Sequence, residues 1–158
     1  LGLMAEQGDV DAQFNLGFMY ENGFGVPESD KTAVKWYTLA AEQGHAQAQV
    51  ELGNKYSAGD GVLEHDKTAV KWYTKAAEQG HAQAQFNLGL MYDEGTGVLK
   101  DKRRAYMWLS LGSYNDITKA SEYKRNAKSA LAKYMSAADI SKAQDMSSRC
   151  LESNYTDC

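Results

Sequence analysis

Small and apolar residues recur along the first two-thirds of the chain at the three-to-four spacing of a helix face. Ala12, Leu16, Met19 and Tyr20 share one face of a helix expected over residues 10–22. Ala33, Trp36, Tyr37, Ala40 and Ala41 share one face of a second helix, expected to start near Asp30 as an acidic N-cap and to stop at Gly44. The whole pattern then returns with a period of 36 residues. Leu16-Gly17 becomes Leu52-Gly53 and Leu88-Gly89, and Tyr20 becomes Tyr56 and Tyr92. The three tryptophans of the chain, Trp36, Trp72 and Trp108, occupy one repeat position. First helices are therefore expected over 10–22, 46–58 and 82–94, each ended by a glycine suited to a left-handed C-cap. Asp66 is expected to cap the second helix of the middle unit.

A glycine inside a helix costs about 1 kcal/mol relative to alanine. Its recurrence at Gly17, Gly53 and Gly89 predicts that a second helix passes too close for any side chain. Helix, turn, helix, turn in 36 residues is an αα-hairpin array, all-α, in which hairpins must stack to cover their apolar faces. Residues 1–8 read as the end of a truncated unit, and the chain opens on Leu1 and not methionine. The repeats accordingly fill residues 1–112, with units starting near 10, 46 and 82. Residues 113–158 leave the pattern. They predict one helix from Ala120 to Tyr134, with apolar positions at Ala127, Ala130, Leu131 and Tyr134. A second is expected from Ser136 or Ala137 through Ile140, Ala143, Met146 and Cys150, and the two are read as a C-terminal helical cap.

Composition changes this picture little. The 158 residues are 43% hydrophobic and 24% charged, and the single proline, Pro27, leaves the helices unbroken. Net charge is −4, with no basic excess to suggest nucleic-acid binding. Its distribution is uneven, at −8 for residues 1–99 and +4 for residues 100–158. That asymmetry either steers a partner or merely marks two differently solvated surfaces. No apolar run approaches the roughly 20 residues of a membrane span.

The repeated residues resemble the Sel-1-like repeat family, a relative of the tetratricopeptide repeat. The shared pattern is A-x-x-x-L-G-x-x-Y-x-x-G-x-G-V followed by D-x-x-x-A-x-x-W-Y-x-x-A-A-x-x-G. Residues 12–44 and 48–80 match it nearly in full. Residues 84–112 drift, with Lys102 in place of the acidic cap, Leu109 for the tyrosine and Gly112-Ser113 for the Ala-Ala pair. The resemblance implies a right-handed α–α superhelix that serves as a scaffold or adaptor for another protein or peptide, frequent in bacteria. It also implies structural roles for Leu16, Gly17, Tyr20, Trp36, Leu52, Gly53, Tyr56, Trp72, Leu88, Gly89, Tyr92 and Trp108.

With Ala12 at 0° and about 100° per residue, Phe14, Phe18 and Glu21 fall opposite the core stripe. Val50 and Asn54 follow in the second unit, and Phe86, Leu90 and Asp93 in the third. By resemblance to tetratricopeptide arrays this face lines the concave surface, where an extended peptide or partner helix would lie. The competing reading is that these residues pack against the next repeat.

Candidate chemistry is sparse. His45 and His81 share a repeat position, where stacked hairpins place them roughly 8–10 Å apart, too far for one metal ion. They are read as exposed turn residues. The glycine pairs follow helices and lack the Gly-Lys-Ser/Thr of a phosphate loop. No cofactor, metal or catalytic group is nominated. The alternative function is a cell-wall-related protein that binds or hydrolyses β-lactam- or peptidoglycan-type ligands, as some bacterial relatives are reputed to do. Cys150 and Cys158 either form a disulfide, which would favour a periplasmic or secreted setting, or stand as two thiols.

Overall fold

The computed structural model describes residues 1–116 and 120–158, apart from the side chains of Ala120 and Ser121. Residues 117–119 of the expected cap lie outside the described residues. The described residues form nine helices and no strand. They are α1 (Gly2–Glu6), α2 (Val10–Asn22), α3 (Asp30–Glu42), α4 (Ala46–Ala58), α5 (Asp66–Ala77), α6 (Ala82–Glu94), α7 (Lys102–Asn115), α8 (Ala120–Ala132) and α9 (Ala137–Glu152). The chain divides into two compact units, residues 1–72 and 73–158, with the division inside α5.

In the first unit α2 and α3 form one hairpin. A Cβ built on Gly17 would stand 2.7 Å from the Tyr37 ring, so only glycine lets the two helices meet here. Leu16, Ala12 and Ala5 are buried together, with Met19, Tyr20 and Trp36 packed on them. Val34, Ala40, Ala48, Leu52 and Trp72 form a further core, with Phe14, Tyr56 and Val62 against it. In the second unit α6 and α7 meet in the same way, and a Cβ on Gly89 would lie 2.9 Å from the Leu109 side chain. Leu88 and Trp108 are buried. The cap closes over this hairpin, burying Phe86, Ala105, Leu109, Leu131 and Ala143 in one cluster.

A buried glutamine in each first helix ties the hairpins together. Gln13, Gln49 and Gln85 donate from Nε2 to the carbonyls of Ala5, Ala41 and Ala77, each at 3.1 Å and each eight residues back. Gln43 donates to Gln13 Oε1 at 2.8 Å, and Asn115, two repeats further on, donates to Gln85 Oε1 at 2.9 Å. Orphan carbonyls at the end of one hairpin are thus bonded by the next, as buried polar groups require.

The helix caps correct the sequence expectation by one residue. Ser29 Oγ, His65 Nδ1 and Asp101 Oδ1 accept the amide hydrogens of Thr32, Thr68 and Arg104, so they are the N-caps of the second helices. Asp30 and Asp66 sit instead in the first turn, where the helix dipole favours them. Lys102 replaces no cap, because Asp101 supplies it. His45 and His81 also correct their reading as turn residues. Both are only half exposed, and Nδ1 accepts the amide hydrogen of Ala48 or Ala84, the role that Asp9 plays for α2. In the cap, α8 ends at Ala132, and Tyr134, expected on its apolar face, is 77% exposed. Ala130 is also exposed.

Cys150 and Cys158 are joined by a disulfide that closes the tail back onto α9. Within that loop Tyr155 takes a left-handed backbone (φ 67°) and its hydroxyl accepts from Asn115 Nδ2 at 2.7 Å. Its ring covers Gly80, where a Cβ would stand 3.1 Å away.

Gly17→Ala gains roughly 1 kcal/mol of helix propensity. It also forces a methyl into the Tyr37 ring, which is fully buried and held at its hydroxyl by Glu21. Overpacking wins, and urea unfolding should show a net loss of about 1–2 kcal/mol, whereas Gly2→Ala, with open space around it, should lose nothing. Cys158→Ser should lower stability by about 2 kcal/mol through loss of loop closure, and a reductant should then cause no further loss.

Candidate functional site

The eight residues expected to meet a partner sort into three repeat positions, and the structure treats the three differently. The position of Phe14, Val50 and Phe86 is interior. The Phe14 ring stacks on the His45 imidazole at 4.6 Å and meets Tyr37 at 5.7 Å. Val50 is 2% exposed and Phe86 5%. The Phe86 ring meets Tyr123 of α8 at 5.6 Å, with the Lys124 ammonium 5.7 Å from its centroid. Val50 and Phe86 are therefore corrected from surface contacts to core. A stacked helix is covered on more than one side, and this position faces the head of α4 from Phe14 and α8 from Phe86.

Glu21 is likewise engaged within the protein. Its Oε2 accepts the Tyr37 hydroxyl at 2.6 Å, and its Oε1 lies 2.7 Å from Lys55 Nζ. Asp30 Oδ1 lies 2.6 Å from the same ammonium. Burial alone would lower the Lys55 pKa, but the two carboxylates outweigh it and hold it above the ordinary 10.5. Burial, and then the bond to Glu21, push the Tyr37 phenol far above its usual range. Lys55 was not singled out by its sequence, although a signal was present. The same repeat position is Met19 in the first unit and Met91 in the third. The raised pKa means that the stabilisation by Lys55 is complete at neutral pH and fades only as pH rises through the folded value, above 10.5. Lys55→Met should cost about 2 kcal/mol in urea unfolding at pH 7, since Glu21 and Asp30 then face each other without a cation. Adding Glu21→Gln should recover part of that loss.

At the remaining position Phe18 and Asn54 stay open to solvent, and Leu90 packs partly against the cluster of Phe86, Leu109 and Leu131. Phe18 is 46% exposed and its ring lies 5.9 Å from that of Phe24, also exposed. Asn54 is exposed, and Leu90 and Asp93 are half-buried. In the third repeat Leu90 and Asp93 line a cavity of about 420 Å³. Leu109, Leu131 and two alanines of α8 add apolar wall, and Lys100, Lys102 and Tyr134 complete its lining. The Lys102 ammonium sits 5.2 Å from the Tyr134 ring centroid, a cation–π contact. Lys100, Lys102 and Tyr134 were missed because they lie outside the helix face that the repeat periodicity marks. Among the described residues no group of three His, Cys, Asp or Glu side chains is placed to hold a metal ion. No helix of the described residues is long and apolar enough to cross a membrane.

Comparison with known proteins agrees with this architecture. The Sel1 repeat model matches residues 10–45, 46–81 and 82–116, each of which begins where a first helix begins. A crystal structure of a Sel1 repeat protein from Oxalobacter formigenes superposes with a TM-score of 0.68 at 40% identity, over 70% of this chain. The structure of c5321, a protective antigen of uropathogenic Escherichia coli with an SLR fold, superposes with a TM-score of 0.62 at 30% identity, over 96% of this chain. The chain spans 46% and 40% of the length of those two solved chains. No curated protein matches it. Sel1 repeat proteins are generally protein-interaction scaffolds and are typically not enzymes. Three consecutive matched repeats, in register with the hairpins of the fold, place the chain in the Sel1 repeat family.

Proposed function

We propose that this protein is an interaction scaffold that holds a partner protein or peptide on the exposed face of its first helices. The observation that supports this is the contrast between adjacent positions of one helix. The core positions repeat unchanged, as Leu16, Leu52 and Leu88 and as Tyr20, Tyr56 and Tyr92. The outward position changes with each unit, from the exposed Phe18 and Asn54 to the half-buried Leu90. Stacking requires the first set and leaves the second to vary, which gives each unit a different side chain to offer. An exposed phenylalanine pair such as Phe18 and Phe24 is poorly accounted for by solubility and well suited to an interface, where aromatic side chains are enriched.

The test is affinity capture from a bacterial lysate with the wild type and a Phe18→Asp, Asn54→Asp variant, after circular dichroism has shown equal helicity. A protein retained by the wild type and lost by the variant is the expected outcome. Identical capture by both, or none by either, would overturn the assignment of this face.

A further inference from the structure

The cavity beside Leu90 carries more than the general scaffold reading. Its walls are aliphatic, from Leu90 on α6, Leu109 on α7 and Leu131 on α8. Its polar groups are two ammoniums, Lys100 and Lys102, and one carboxylate, Asp93. Among the described residues none of these three charges forms an ion pair. The site is therefore apolar inside and net positive in its charged lining. It lies in the part of the chain with a positive balance, eleven basic against seven acidic side chains over residues 100–158. Tyr134, 77% exposed, lines it, and Leu99, next in sequence to Lys100, is 91% exposed. Large apolar side chains exposed beside an apolar hollow are a mark of a docking surface.

We infer that this cavity docks an internal segment of a partner protein in which a bulky aliphatic side chain is followed by a glutamate or aspartate. A volume of about 420 Å³ is at the low end for binding pockets, so it takes one or two side chains and not the flank of a long helix. The aliphatic group enters between Leu90, Leu109 and Leu131, and the carboxylate meets Lys100 and Lys102. The stacking of Lys102 on Tyr134 restricts that ammonium before the partner arrives, which lowers the ordering cost of the ion pair. Asp93 repels a partner acid, but the two lysines outnumber it, so the charged lining as a whole favours an acid over a base. The inference rests on the scaffold reading and assigns one of its contacts.

The test uses acetylated, amidated heptapeptides carrying a fluorophore, so that no chain-end carboxylate is present. One has the core Ser-Leu-Glu-Ser, one Ser-Ser-Glu-Ser and one Ser-Leu-Lys-Ser. Fluorescence anisotropy with the full chain should show saturable binding of the first. The serine and lysine versions should bind about tenfold more weakly or worse, the first through loss of a buried leucine and the second through loss of a charge-assisted contact. Lys100→Glu with Lys102→Glu should abolish the preference for the glutamate peptide and move it toward the lysine peptide. Neither lysine belongs to the buried core, and Tyr134→Ser gives a second, uncharged variant that should weaken binding severalfold. No saturable binding below about 1 mM, or equal binding of the acidic and basic peptides, would overturn the inference. So would sedimentation showing that the wild type self-associates through the same lysines, since the occupant would then be a second copy. If the peptides fail while capture still depends on Phe18 and Asn54, only this cavity's role falls and the scaffold reading stands.

Discussion

The α2–α3 and α6–α7 hairpins each turn on a place where two helices touch without a side chain between them. At Gly17 the Tyr37 ring occupies the space a methyl group would need, and at Gly89 the Leu109 side chain does the same. That approach sets how far apart the helices of a pair can lie. It thereby decides which other residues are interior. The small side chains Ala12, Ala33, Ala40, Ala48, Ala84 and Ala105 are all buried because the gap they fill is narrow. The bulk that fills the rest comes from the opposite helix, as Tyr37, Trp72 and Trp108. Knobs on one helix and small residues on the other are what close packing at native density demands.

Apolar packing of this kind is nearly non-directional, and the polar interior adds direction. Gln13, Gln49 and Gln85 are buried amides with one acceptable position each, set by a carbonyl eight residues back. A buried amide without its partner costs more than the bond contributes, so these glutamines discriminate against shifted stacking of the hairpins. The N-caps work at the other end of the same helices. Asp9, His45 and His81 occupy one repeat position and satisfy equivalent amides. An imidazole and a carboxylate are interchangeable there because the helix end asks only for an acceptor.

The face left after these demands is smaller than the helical wheel suggests. Phe14, Val50 and Phe86 are used in stacking, and Glu21 neutralises the buried Lys55. What remains variable is the position of Phe18, Asn54 and Leu90. In the third repeat that position is joined by groups around the start of α7 and from α8 and the turn after it, which together make a hollow no single helix contains. A scaffold of repeated hairpins thus obtains specificity from the places where the repetition fails.

The 36-residue period, the boundaries of the first helices, the close approaches at Gly17 and Gly89 and the repeated core stripe were legible in the chain. Each follows from spacing within one repeat, and three copies of the spacing are present. The N-caps of the second helices were misplaced by one residue because Asp30 and Asp66 suit both a cap and a first turn, and only backbone geometry separates the two. The joined cysteines, the seat of Tyr155 on Gly80 and the Lys55 cluster were not legible in that sense. They bring together residues 8, 75 and 25 or more positions apart, by contacts that no periodicity encodes. Which residues on the outward face are exposed was decided by tertiary structure for the same reason. A helical wheel orders side chains around one axis, whereas exposure depends on how many neighbours that axis has.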